Sequence, residues 1–292
     1  MAADQPARAR ADEPHIRPLE LIDLPRAAQV SAAGFGFELS EPAIARRWQQ
    51  RLAHLVGTDP EGGFVAEHDG RVIGVAQAMR RERLWCLSLI AVGPDVQSRG
   101  VGRALLDRAL GYGADAGGGL IVSSNDPRAL RLYGLAGFSL RPTFQAEGQL
   151  DRRKLPPAHP GIREGGAADL EALAGISREV RGARHTPELA FALGRESRLL
   201  RLGDRGFSVI QPEHGVWLLA ARDEPAATAL LWSALEGLEN PARPTVRWIT
   251  GEQSWAIDVV LRAGLQLSAY GALAVRGEAG RLWPYIPSVA FA

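Results

Sequence analysis

The sequence has one cysteine, Cys86, and one lysine, Lys154, in 292 residues. A lone cysteine excludes an intramolecular disulfide and a zinc site built on cysteines. The six histidines show no metal-ligand spacing, such as two histidines four apart on a helix, so no metal is expected. Charge of one sign is also missing. Lys+Arg of 34 against Asp+Glu of 33 gives a net charge of +1. That balance leaves no basic footprint for a nucleic acid or an anionic membrane surface, and neither partner is expected. Long apolar runs are absent too. The longest, Leu84–Val92, is far below the ~18 residues of a membrane span. Residues 1–14, rich in Ala, Arg, Asp and Pro, lack the apolar stretch of a signal peptide and read as a disordered lead-in. The expectation is a cytoplasmic protein.

What is present is ordinary globular material, 46% hydrophobic and 23% charged, with length for two domains. Strand and helix patterns alternate from residue 15. Residues 16–19 read as a short strand. Residues 21–34 and 41–55 read as helices, the second behind Ser40 as N-cap with Pro42 in its first turn. Residues 64–68 and 72–79 flank Asp69-Gly70, a hairpin signal. Leu84–Val92 is the nearly continuous run of a strand covered on both faces. A helix over 102–114, a strand over 120–123, a helix over 127–136 behind Asn125-Asp126, and a strand over 138–144 follow.

Residues 151–160 hold a charge cluster with Pro156, Pro157 and Pro160, and cannot propagate regular structure. Beyond this linker the pattern recurs. Gly161-Ile162-Arg163 followed by Asp169-Leu170 echoes His15-Ile16-Arg17 followed by Asp23-Leu24. Leu261-Arg262-Ala263-Gly264-Leu265 likewise echoes Gly134-Leu135-Ala136-Gly137-Phe138. Repetition of a whole domain is the economical explanation, with chance similarity in an Ala/Leu/Arg-rich chain as the alternative. The domains are then 15–150 and 161–292.

The turn after Leu84–Val92 contains Gly93, Pro94, Gln97, Ser98, Arg99, Gly100, Val101 and Gly102, and a helix follows at once. A helix N-terminus presents unpaired N–H groups and a partial positive charge, which suits a phosphate. Glycine lets the backbone approach, and Arg99 and Arg103 can add charge-assisted hydrogen bonds. A dinucleotide fingerprint would need a third glycine where Leu105 stands, and a P-loop would need Gly-Lys-Ser/Thr. A plain strand-to-helix turn stays open as the alternative.

Two ordered motifs go further. Residues 89–106, from Leu89-Ile90-Ala91-Val92-Gly93-Pro94 through Arg99-Gly100-Val101-Gly102, and residues 125–138, from Asn125-Asp126 through Tyr133 to Gly137-Phe138, resemble the GNAT acetyltransferase superfamily. The resemblance implies two tandem α/β (α+β) domains, each a mixed, mostly antiparallel sheet flanked by helices and splayed beside the cofactor motif. It implies acetyl-CoA as acyl donor and an amine acceptor, a small molecule or a peptide, in a protein acting as monomer or homodimer. The main chain of Ile90, Ala91 and Val92 would hydrogen-bond pantetheine like a missing strand. Gln97, Ser98, Arg99, Gly100, Val101, Gly102 and Arg103 would hold the pyrophosphate. Asn125 would contact the cofactor arm, and Tyr133 would protonate the departing thiolate; an amphipathic core tyrosine is the alternative for Tyr133.

The base that frees the amine is missing from its usual places. Cys86 and Ser88 stand on the strand where the family often keeps Glu or His, and Leu120 fills another frequent position. Ser88 could orient a water. Glu38, Glu82 and the Ala292 C-terminal carboxylate are candidate bases, the last because residues 282–292 carry no charged side chain and should pack. Removing the last three residues should then stop turnover and spare the fold. In the second repeat Asp223, Glu224, Pro225 and Ala227 fall near the phosphate turn, with Val260 at the tyrosine position. Carboxylates there repel phosphate and proline lacks a donor, so that half is expected to keep the fold and bind no acetyl-CoA.

Overall fold

The computed structural model describes residues 14–97, 100–195, 197–211, 214–238 and 244–291. Its contacts divide the chain into two compact units. One holds the chain up to Arg80 with Leu87–Asp115, the other Arg81–Cys86 with Ala116–Ala292.

β1 (His15–Pro18), β2 (Gly63–His68), β3 (Arg71–Arg81) and β4 (Leu84–Val92) follow one another in sheet order, all in the first unit but for Arg81 and Leu84–Cys86. β1 pairs antiparallel with β2, and β2 with β3. Asp69 and Gly70, both at positive φ, make the two-residue turn that the sequence announced. Helices α1 (Leu24–Gly34), α2 (Pro42–Thr58) and α3 (Val101–Tyr112) accompany this sheet. Ala27, Ala28 and Val30 of α1 and Leu52 of α2 bury against Val65, Val75, Leu89 and Ala91. The expected cap of α2 is corrected. Pro42 takes the first helical position, so Glu41 is the extended cap residue, and Ser40 lies one step outside.

The second unit contains β5 (Gly118–Ser123), α4 (Pro127–Leu135) and β6 (Ser139–Glu147). It then repeats the first half: β7 (Ile162–Gly165), α5 (Leu170–Arg181), α6 (Thr186–Leu193), β8 (Arg198–Leu202), β9 (Gly206–Gln211), β10 (Gly215–Ala221), α7 (Glu224–Glu236), β11 (Thr245–Thr250), α8 (Ser254–Arg262) and β12 (Gln266–Gly277), with β13 (Tyr285–Ile286) added at the end. The sheet is mostly antiparallel, in the order β5-β12-β6-β11-β10-β9-β8-β7. Each repeat's last strand thus sits beside the other repeat's fifth. β12 lies between β5 and β6, and β6 lies between β12 and β11. The core is built where α7 and α8 bury Leu230, Leu231, Leu235, Val259 and Val260 against Leu219, Val246 and Ile249.

Two distortions mark this exchange. β12 bulges against β6 between Ala269 and Ala272, where Gly271 has φ +65° and an added Cβ would stand 1.9 Å from Ser123 O. Only glycine fits there. Trp248 on β11 carries φ +58°, a left-handed value rare for a bulky residue, and its Nε1 donates to Ser123 O at 3.1 Å.

Candidate functional site

The site begins with β4, whose side chains are buried almost throughout. At its end Gly93 N–H reaches across to Ile73 O at 2.8 Å, and the Gln97 side-chain amide donates to Val92 O at 3.1 Å. Gln97 therefore braces the strand's last residue. Gly34 lets α1 come close here, since a Cβ on it would stand 3.0 Å from Val92 O. Ser98 and Arg99 lie outside the described residues.

Gly100 is the N-cap of α3, left-handed at φ +84°, and no side chain caps the helix. Its carbonyl takes the Ala104 N–H at 3.0 Å. The N–H groups at the start of such a helix have no intrahelical acceptor and carry the positive end of the dipole. Val101, Gly102 and Arg103 supply that first turn. Arg103 is directed along the helix to Asp107 at 3.8 Å, and both side chains are exposed. An exposed pair of this kind is worth under about 1 kcal/mol, so the guanidinium is available to an anion.

Asn125 and Tyr133 belong to the second unit. Asn125 is exposed and its Oδ1 accepts the Gly271 N–H of the β12 bulge. The resemblance implied that Asn125 contacts the cofactor arm; in the structure its side chain clamps a strand of the other repeat. Tyr133 lies on α4, which Asp126 caps by accepting the Arg128 N–H at 2.9 Å. Its ring is buried, and that burial, with the Asp126 carboxylate adding to it, pushes the phenol above its ordinary value. It stays protonated through neutral and mildly alkaline pH, the form a general acid needs.

The expected bases fare unequally. Ser88 is buried and engaged by Arg51 of α2, whose Nη2 donates to Ser88 O at 2.7 Å and reaches Ser88 Oγ at 3.3 Å. Its hydroxyl therefore answers a guanidinium. Glu38 lies exposed on the segment between α1 and α2. Glu82 is engaged: Arg178 Nε donates to it at 2.6 Å and Arg184 N–H at 3.2 Å. Burial pushes its carboxyl up, but these donors prevail and hold it below the usual range, which makes it a weak base. Ala292 lies outside the described residues. Its neighbour Phe291 is fully buried against Phe191 and Trp217, and its carbonyl accepts from buried Arg181 at 2.6 Å. Removing the last three residues would therefore strip the core, against the expectation that the fold is spared.

In the second repeat the strand before the corresponding turn is β10, which ends at Ala221 just before α7. Among the described residues, β10 pairs in parallel with β11 at Gly215 and Val216. β13 takes the edge beyond, with Leu219 opposite Ile286 and Ala220 opposite Tyr285. The turn is closed too. Asp223 caps α7 through the Ala226 N–H and pairs with Arg205 at 2.6 Å. In the second repeat the strand edge and the helix terminus are thus filled by the chain itself.

Among the described residues no group of three or more His, Cys, Asp or Glu is placed to hold a metal, and no helix is long and apolar enough to cross a membrane.

Residues 28–138 match the family described as Acetyltransferase (GNAT) family. A stretch of 88 residues is 35% identical to a mycothiol acetyltransferase of Streptomyces bingchenggensis; the match covers 28% of this chain and 28% of that enzyme's length. Among solved structures, a Pyrococcus horikoshii chain presented as a candidate acetyltransferase superposes with a TM-score of 0.80, at 16% identity and over 96% of each chain. A tandem GNAT protein from the clavulanic acid biosynthesis pathway gives 0.59 at 16% identity, over 91% of this chain and 98% of that one. At such identities the likeness is one of fold.

Proposed function

We propose that this chain, a tandem member of the GNAT acetyltransferase superfamily, moves an acetyl group from acetyl-CoA to an amine of a small molecule or peptide. The first repeat binds the donor. Ile90, Ala91 and Val92 offer pantetheine a strand edge, and the amides from Gln97 to Arg103 take the pyrophosphate, Ser98 and Arg99 by the resemblance alone. The amine attacks the thioester directly in a ternary complex. The carbon–sulfur bond breaks, and Tyr133 protonates the thiolate. The second repeat binds no acetyl-CoA.

The observation that carries this reading is the N-terminus of α3: a left-handed Gly100 with no capping side chain, at the end of β4, within the matched family segment. The mycothiol acetyltransferase match covers too little of that enzyme to bring its acceptor here.

Calorimetric titration with acetyl-CoA tests the donor site. One equivalent should bind, and Gly100→Val should weaken it at least tenfold, about 1.4 kcal/mol. Unchanged affinity in that variant would sink the site. A second reading, an acyl-CoA-binding protein without turnover, is favoured by the engagement of Glu82 and the exposure of Glu38. Thiol release against an amine panel separates the two.

A further inference from the structure

Among the described residues the exposed aromatic side chains are Phe35 and Phe37, 48% and 37% exposed, on one short segment of the first unit. The end of α1 puts them there. Gly36, left-handed at φ +80°, turns the chain; its N–H takes Ala33 O at 3.1 Å, and Phe37 N–H returns to Ala32 O at 3.0 Å. This paired closure fixes where both phenylalanines leave the helix. Their rings then meet Trp48 of α2, Phe35 at 6.3 Å and 69° and Phe37 at 5.2 Å and 76°. Trp48 is fixed in turn. Its Nε1 donates to the buried Ser31 Oγ at 2.7 Å, and the Arg51 guanidinium lies over its ring, 5.3 Å from the centroid. The indole is thus committed within the cluster, and the open aromatic surface belongs to the two phenylalanines. Ile44, also exposed, stands one helical turn before Trp48 and extends the patch. Single exposed apolar residues are ordinary, but a contiguous aromatic patch marks a contact surface.

The patch borders the proposed donor edge within the same unit. A Cβ on Gly34, next to Phe35, would stand 3.0 Å from Val92 O. Arg51, over Trp48, donates to Ser88 O at 2.7 Å. Ser88 and Val92 flank Ile90 and Ala91 on β4. A molecule lying on the rings is therefore beside the strand that pantetheine is proposed to follow. The rings also set its chemistry. An aromatic ring pairs with another edge-to-face or offset, and gains more than its area alone provides. Ring faces attract an ammonium as well. Glu38, exposed and directly after Phe37, adds a carboxylate of the sign that draws a cation.

We infer that the acceptor is an arylalkylamine, its ring laid on Phe35 and Phe37 and its amine carried toward β4. This rests on the acetyltransferase reading above, and names the acceptor that reading leaves open.

The test follows thiol release with phenethylamine, its ring-saturated counterpart cyclohexylethylamine, and ethylamine, on wild type, Phe35→Leu and Phe37→Leu. In wild type kcat/KM should fall in that order. Phenethylamine should lead the saturated amine by about two- to tenfold for each ring engaged, the usual worth of an aromatic pair beyond its area. Leucine keeps an apolar side chain and removes the π face. Each variant should therefore bring the phenyl-to-cyclohexyl ratio toward one, through KM. Both amines are measured on the same protein, so any loss of folded enzyme cancels from the ratio. Equal kcat/KM for the two ring-bearing amines in wild type, or a ratio unchanged in both variants, would overturn the inference and leave the acetyltransferase reading standing. A wild type that binds acetyl-CoA but releases thiol to no amine would overturn that reading, and this inference with it.

Discussion

At Gly100 a Cβ would meet nothing within 4 Å, so space does not demand glycine there; the φ of +84° does. That requirement was legible, because a glycine just before a helix after a buried strand is a sequence pattern with a backbone cause. Tyr133 was singled out from its place five residues before Phe138, as the acid implied by the resemblance or as a core tyrosine. Its burial decides its chemistry. With the phenol raised above its usual value, its ionisation lies beyond the working range. Turnover should show no alkaline fall from Tyr133 below pH ~10, the ordinary tyrosine value. Tyr133→Phe should lower kcat by about 10²–10⁴-fold with acetyl-CoA affinity unchanged. Thiol-release profiles on both proteins check this, and equal kcat values would remove Tyr133 from the mechanism. The buried Arg81–Glu188 ion pair could not have been found from the sequence, since its partners stand 107 positions apart and no spacing rule connects residues that only tertiary packing brings together.

Among elements, those with a clear period came out close to expectation. β4 runs over Leu84–Val92 as read, and α3 and α4 lie within two residues of their expected bounds. The exceptions have local causes. The helix expected from residue 21 starts with a 3-10 turn, Leu21–Asp23, because Pro25 lies in the first turn of α1. β13 has only two residues and follows Pro284 in an apolar, proline-rich tail, so no alternation announces it. That tail is nonetheless core. Phe291, 1% exposed between Phe191 and Trp217, should cost about 3–5 kcal/mol when replaced by alanine. Urea unfolding would measure it, and a cost under 1 kcal/mol would mean that the tail packs loosely.

For the molecule as a whole, the tandem arrangement was visible in short echoes such as Gly161-Ile162-Arg163 against His15-Ile16-Arg17. The exchange of strands was not. Pairing of β12 with β5 joins residues far apart in sequence, and each strand's own pattern is the same whichever neighbour it takes. The exchange has a direct consequence for the halves. A chain cut within 151–160 leaves one fragment with β5 and β6 lacking β12, and the other with β11 and β12 lacking β6. Exposed edges and uncovered apolar faces should make each fragment aggregate alone. Co-expressed, they should assemble into one particle of the parent's size by gel filtration. A fragment 15–150 that is monomeric and cooperatively folded would show that the exchange is dispensable.

The strand β13 gives the two repeats different thermodynamics. A groove filled by a bound molecule is stabilised by mass action, as RT ln(1 + [L]/Kd), and weakens as the supply falls. In the second repeat the occupant of the β10 edge is covalently part of the chain. Its effective concentration is fixed, and no dilution removes it. That repeat is held at saturation whatever the metabolic state, while the first, on the proposed function, would rise and fall in stability with acetyl-CoA. Added acetyl-CoA should therefore raise the melting temperature along a single-site curve, with the second repeat a constant contribution beneath it.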